Sequence, residues 1–204
     1  MLWVDAHGDC NTPEISQSHN YHGMSAAHAL GWFKRHIPGF SFVNESTVFL
    51  QEARLVYIGL RDLDEKEKQL LRQSQCVVFT MQDIDALGIG QVMELAIDHL
   101  QAKKFPVHLS FDIDAVDPSY APGTGTRARG GLTYREAHYV CERIHAAGNL
   151  ASMDMVEVNP SLDEAVLCAG GGVMHGDMAN ITTSLPTVRL ALELIASALG
   201  KTIL

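Results

Sequence analysis

The chain has 204 residues, 47% of them hydrophobic and 19% charged, so its length fits one α/β domain with a sizeable core and excludes wholesale disorder. Its 24 Asp and Glu against 15 Lys and Arg leave a net charge of −9 with His neutral. That sign argues against nucleic acid or an anionic membrane as the main partner, since both demand a basic face, and it suits a cationic ligand or metal ions.

In chain order, Leu2–Val4 is expected to form a strand, Ser25–Arg35 a helix, Leu55–Leu60 a strand, Asp64–Gln73 a helix and Cys76–Phe79 a strand. Gly90–Ala102 follows as a helix, Val107–Phe111 as a strand, Tyr134–Ala147 as a helix, Met153–Val158 as a strand and Thr187–Leu199 as a last helix. The strand candidates are continuously apolar rather than alternating, which is the pattern of strands covered on both faces. In the fourth helix Ala137, Val140, Cys141 and Ile144 make one buried stripe, and Thr133 with Glu136 reads as a capping box at its start. Strand–helix alternation with short connections implies a parallel sheet with helices on both faces, and ligands of such sheets sit beyond the carboxyl ends of the strands. Cys10, Cys76, Cys141 and Cys168 show no C-x-x-C spacing and read as reduced thiols of an intracellular protein. No apolar run approaches the roughly eighteen residues of a membrane span, and the first residues lack the basic region of a signal peptide.

Three strand ends carry clusters. The first run leads into Asp5-Ala-His7-Gly-Asp9, the fourth into Asp112-Ile-Asp114-Ala-Val-Asp117, and the fifth ends in Glu157-Val-Asn159-Pro160. Residues two apart on extended backbone point to the same side, so Asp5 with His7, and Asp112 with Asp114, can each present two ligating atoms to one place. Acidic groups gathered at a sheet edge repel one another unless cations hold them. Aspartates with an imidazole select a hard to borderline ion: Mn²⁺ fits best, Zn²⁺ or Co²⁺ are alternatives, and there are ligands enough for two ions. The competing explanation for the same residues is a set of unrelated helix caps and turns.

Together these segments resemble the signatures of the ureohydrolase family. Asp9-Cys-Asn11-Thr12-Pro13, Asn20-Tyr-His22-Gly23, Tyr57-Ile-Gly-Leu-Arg61-Asp62-Leu-Asp64 and the Gly123–Glu136 segment extend the likeness, which runs from Leu2 to about Ser161. It is closest to the arginase branch, because agmatinase-type sequences differ at Asn11-Thr12-Pro13, at Asn20-x-His22-Gly23 and at Glu157-Val-Asn159-Pro160-Ser161. The resemblance implies a three-layer α/β/α sandwich with a mostly parallel sheet, and a homo-oligomer, trimer or hexamer. It also implies two Mn²⁺ ions and hydrolysis of L-arginine to L-ornithine and urea by a metal-bridging hydroxide.

By the same resemblance, Asp5 and Asp112 would bridge both ions, and His7 and Asp114 would complete one of them. Asp9 would bind the other and pass a proton to the leaving amine. Glu157 would pair with the guanidinium, Thr126 would add a weaker contact behind it, and His22 would act as general base or proton shuttle. Asn11, Ser16 and Ser18 match carboxylate contacts. Asp64 would meet the ammonium group, although it serves equally well as the N-cap of the helix that follows. Agmatine, which lacks a carboxylate, is the runner-up substrate. The other class of reading is a non-catalytic isoform that acts only as an interaction partner.

Family members begin with further strands and a Gly-Gly-Asp-His motif whose His binds the first ion. The expectation here is therefore one partial domain, 1–204, without those N-terminal strands, and an ion shared by Asp5, Asp9 and Asp112 that is short of its imidazole. Residues 162–184 are expected to be an atypical Gly-rich, flexible insertion. The expected compartment is the cytoplasm, or the mitochondrion should a leader lie in the missing section.

Overall fold

The computed structural model describes residues 1–34, 39, 50–102, 104–163 and 185–203. All five expected strands form: β1 (Leu2–Val4), β2 (Val56–Leu60), β3 (Val77–Thr80), β4 (Val107–Asp112) and β5 (Leu150–Val156). They pair in parallel throughout, in the order β3-β2-β1-β4-β5, with Trp3 opposite Tyr57 on one side and Ser110 on the other. Helices α1 (Ser25–Ala29), α2 (Glu65–Gln73), α3 (Met81–Leu100), α4 (Tyr134–Ala146) and α5 (Pro186–Ala198) supply the outer layers.

Alternation along β1 shows how the layers assemble. Leu2 and Val4 face a core shared with Val92, Met93, Ala96 and Ile97 of α3, with Ala137, Val140, Cys141 and Ile144 of α4, and with Leu190 and Leu194 of α5. Trp3 faces the opposite way, toward Leu55, Tyr57, Ala26 and Ala27 of α1, and Leu71 of α2. The sheet is thus sandwiched between two helical layers, as expected.

The α4 stripe is buried at all four expected positions, and its capping box closes: the Glu136 N–H donates to Thr133 Oγ1 at 3.2 Å and the Thr133 N–H to Glu136 Oε2 at 2.8 Å. Thr133→Ala removes the side-chain half of this exchange. Thermal unfolding should register a loss of about 1 kcal/mol, the usual worth of such a cap.

Most boundaries differ from the sequence reading by a residue or two, and a few by more. The first helix stops at Ala29 instead of Arg35, which itself lies outside the described residues. Gly31 takes a left-handed φ of 72°, and the Trp32 N–H returns to the Ala27 carbonyl at 2.9 Å, so the chain turns off the helix there. The third helix starts at Met81, well before Gly90, because Thr80 and Asp83 cap it and Gly88, at φ 77°, only kinks it. A glycine that looked like a helix start is the step after a break. β3 runs one residue later than read, and β5 begins at Leu150 rather than Met153.

Nor is β5 covered on both faces. Met153 and Met155 pack on the core beneath the helices, whereas Ser152, Asp154 and Val156 are exposed. On that face His108 sits between Ser152 Oγ, 2.8 Å from its Nδ1, and Asp154 Oδ2, 3.2 Å from its Nε2. The second helical layer covers β1 and β2 and leaves this half of the sheet polar. Residues 164–184, most of the expected insertion, lie outside the described residues. No helix among the described residues is long and apolar enough to cross a membrane.

The topology fixes where a ligand can sit. From β1 the chain moves outward through β2 and β3 on one side, then returns to lay β4 and β5 on the other. Strand order therefore reverses between β1 and β4, and the connections beyond their carboxyl ends diverge and leave a crevice.

Candidate functional site

Beyond the reversal point lies a cleft of about 240 Å³ lined by His7, Asp9, Asn11, His22, Gly23, Asp62, Asp64, Glu67, Asp112, Thr126 and Glu157. Eight of the expected site residues meet there. Asp5 and Asp114, each 1% exposed, lie under its floor.

β1 and β4 deliver the floor. Asp5 is anchored by two donors, Trp3 Nε1 to Oδ2 at 2.8 Å and the His7 N–H to Oδ1 at 2.7 Å. Asp112 accepts the Asp114 N–H at 2.9 Å, which turns the chain so that both carboxylates stay beneath the cleft. His7 Nδ1 stands 3.1 Å from Asp114 Oδ2 and 3.5 Å from Asp5 Oδ1, and ligand atoms of these three residues all fall within 4.8 Å of one another. Asp9 has a left-handed backbone, φ 47°, and Glu157 another, φ 60°. Non-glycine residues adopt this region at a cost, and both occur where the chain must aim a carboxylate into the cleft. The Asp9 backbone is held by α1, whose Ala26 N–H donates to the Asp9 carbonyl at 2.9 Å. Ser25 Oγ donates to its carboxylate at 3.2 Å.

Electrostatics shows what the floor lacks. Burial, with the charge of Asp5 and then of Asp114 added to it, pushes the Asp112 carboxyl far above its usual range. Burial and the neighbouring Asp5 do the same to Asp9. Asp5 rises through burial, despite the hydrogen bonds from His7 and Trp3. At Asp114 burial is outweighed by His7, which keeps that carboxyl low. At His7 burial is outweighed by Asp114 and Asp5, which pushes the imidazole up to about 11. Three buried carboxylates and the half-buried Asp9 around one imidazole make a donor set short of positive charge, which divalent cations would supply.

The walls come from three loops. Asn11 Nδ2 donates to Asp64 Oδ2 at 3.1 Å, while Asn11 Oδ1 is buried with no partner of its own. Asp64 is also the N-cap of α2, so its position at the cleft wall and its cap role coexist. His22 is exposed, on the turn Tyr21–Met24 at the rim. Thr126 reaches the cleft, and its hydroxyl donates to Asp114 Oδ2 at 2.9 Å. Ser16 and Ser18 do not line the cleft. Their hydroxyls accept the N–H groups of His19 at 3.0 Å and Asn20 at 3.3 Å within their own loop.

Three neighbours escaped the sequence reading. Glu67, 5% exposed, accepts the Cys10 N–H at 3.2 Å and the Asp64 N–H at 3.0 Å, tying together the two loops that carry Asn11 and Asp64. The spacing Asp64-x-x-Glu67 is a readable capping box, but nothing in it announces the second tether. Asp62 stands 3.8 Å from His7 Nε2. Trp3 orients Asp5, and only its position two residues earlier on the same strand side hints at that.

Comparison with known proteins agrees with this geometry. The Arginase family model matches residues 1–199. The arginase of Emericella nidulans is 47% identical over 207 residues, covering 100% of this chain and 57% of its own length. The solved arginase of Bacillus subtilis superposes with a TM-score of 0.82 at 40% identity, covering 100% of this chain and 64% of that one. The Entamoeba histolytica arginase, solved in complex with L-ornithine, gives 0.79 at 28% identity, covering 98% and 59%. The chain spans little more than half the length of the curated relatives it matches. Its strand order, its acidic floor and these likenesses agree: the chain belongs to the arginase family.

Proposed function

We propose that this chain carries the reaction centre of a guanidinium hydrolase that converts L-arginine to L-ornithine and urea. The observation that supports it most is the convergence, in one cleft at the strand-order reversal, of the floor set Asp5, His7, Asp9, Asp112 and Asp114 with Glu157 and the Asn11–Asp64 wall. The names and likeness of its relatives point the same way.

Asp5, His7 and Asp114, whose ligating atoms lie within 4.8 Å of one another, would hold one Mn²⁺, and Asp9 and Asp112 beside them would help to hold a second. When bound, such ions bring the pKa of a shared water from 15.7 to about 7 and so provide a nucleophile strong enough for resonance-stabilised guanidinium carbon. Glu157 would hold the guanidinium by a charge-assisted pair and orient the reacting carbon. Asp9 would hold a proton and hand it to the leaving amine. His22, on the rim, would relay protons between the cleft and solvent. Asn11 would receive the substrate carboxylate, with Ser16 and Ser18 shaping the loop behind it, and Asp64 would receive the ammonium group. Thr126 would brace the Glu157 side through Asp114.

The cytoplasm is the proposed compartment, with the mitochondrion as the alternative. A trimer or hexamer is the proposed assembly.

Urea release from L-arginine and from agmatine by the Mn²⁺-loaded protein tests the reading. Arginine should be the faster substrate. Glu157→Gln should lower kcat/KM for arginine by roughly 10- to 100-fold, the worth of one hydrogen bond to a charged group. Faster agmatine turnover would reverse the assignment of the Asn11 wall. Mn²⁺ binding without urea from either compound would make the chain a non-catalytic member of the family.

A further inference from the structure

Arg61 follows β2 directly and does not line the cleft, yet its guanidinium is the most fully engaged polar group near it. An arginine carries five N–H donors in a rigid planar fork. Here five main-chain carbonyls receive them: Arg129 from Nε at 3.2 Å, Gly59 and Ala115 from Nη1 at 3.2 and 3.1 Å, and Asp114 and Ala128 from Nη2, both at 2.7 Å. These carbonyls belong to three separate segments. One is the end of β2, the second is the turn after β4 that bears Asp112 and Asp114, and the third is the 117–131 loop that bears Thr126.

The surroundings are shaped for this fork. A Cβ on Gly131 would come within 2.5 Å of Nη2, so the guanidinium fits only against a bare backbone. Arg61 is also fixed from its own main chain, where its N–H donates to the Ala6 carbonyl, between Asp5 and His7, at 2.9 Å. One residue therefore contacts both metal-bearing turns and the Thr126 loop.

We propose that Arg61 is a positioning residue: by bonding the Asp114–Ala115 turn and the Ala128–Arg129 segment with one guanidinium, it sets the distance between the acidic floor and the Thr126 wall. The idea rests on the proposed function for its catalytic consequence, but not for its structural one. Lysine, with three donors at a single point, cannot span the same carbonyls.

The test uses the full chain with Mn²⁺ and the variant Arg61→Lys. Amides of residues 124–131 should exchange with deuterium at least tenfold faster in the variant, while those of β1, β2 and β4 keep their protection. Mn²⁺ affinity should fall about tenfold, and kcat for arginine should fall more than KM rises. Unchanged exchange in 124–131 together with unchanged Mn²⁺ affinity would overturn the proposal. So would a uniform loss of protection over the whole sheet, since that describes ordinary fold support. If the wild type releases no urea, the proposed function fails while the exchange and metal readouts still decide on Arg61. In wild-type protein, ¹⁵N NMR should show slowly exchanging, separately resolved Nη protons for Arg61. Rapid averaging of that signal would refute the five-bonded fork without any variant.

Discussion

Asp112→Asn should abolish tight Mn²⁺ binding yet leave the ion-free protein at least as stable as the wild type. The substitution keeps the shape of the side chain and an Oδ1 to accept the Asp114 N–H, now at 2.9 Å. What it removes is a charge that is 5% exposed and crowded by Asp5, Asp114 and Asp9. Burial and those neighbours raise the Asp112 carboxyl from 3.8 to about 10 in the folded chain. An acid with its pKa raised on folding holds more protons folded than unfolded between those two values. Its presence therefore costs stability progressively as pH rises above about 3.8. A neutral Asn escapes that cost, so ion-free Tm at pH 7 should stay level or rise. With Mn²⁺ at roughly a thousand times its dissociation constant, the wild type should gain about 4 kcal/mol and the variant almost none. Calorimetric titration and melting curves, each run with chelator and with Mn²⁺, check both halves. Equal metal-induced stabilisation of the two proteins would remove Asp112 from the ligand set.

Whether a residue's role could be read from sequence depended on whether its partners were local. Asp5 with His7 and Asp112 with Asp114 were legible because a parallel sheet sends ligands to its carboxyl edge, although turns rather than extended chain bring each pair together, with Asp114 in the turn Ile113–Ala115. The α4 stripe and its capping box were legible because helical spacing is a local rule. Of the two readings of Asp64 the N-cap is observed, and the same side chain also faces the cleft, where a second loop meets it through Asn11. Arg61 and Glu67 stood in plain view, but most of their partners lie more than fifty residues away and are main-chain atoms, which carry no sequence signature. The exposed face of β5 was readable, because Ser152-Met153-Asp154-Met155 alternates polar and apolar as a strand covered on one face does. Ser16 and Ser18 were chosen for likeness, and their hydroxyls turn instead to the N–H groups of their own loop.

Gly131→Ala should cost roughly 3 kcal/mol and separate the Thr126 loop from the acidic floor. The Gly131 backbone is not left-handed, so conformational freedom is not what this glycine supplies. It supplies clearance. A methyl group there would stand 2.5 Å from Arg61 Nη2, 2.6 Å from the Asp117 nitrogen and 2.7 Å from the Ala115 carbonyl oxygen. Two of those three atoms are main chain and cannot swing aside. They belong to the short parallel bridge between Val116 and Leu132, in which the Leu132 N–H donates to Ala115 and the Asp117 N–H to Leu132, both at 2.9 Å. Relief of the clash must open that bridge or expel the guanidinium. Overpacking alone costs about 1–3 kcal/mol, and a broken buried hydrogen bond adds about 1. For a chain of this size the sum corresponds to a fall in Tm of about 10 °C. Gly125 provides the control within the same loop: it is exposed, a Cβ there would meet nothing within 4 Å, and its φ lies outside the left-handed range. Gly125→Ala should stay within about 0.5 kcal/mol of the wild type. Melting curves of the two variants decide the matter, because equal stability would mean that the loop is not seated against the Arg61 fork at all.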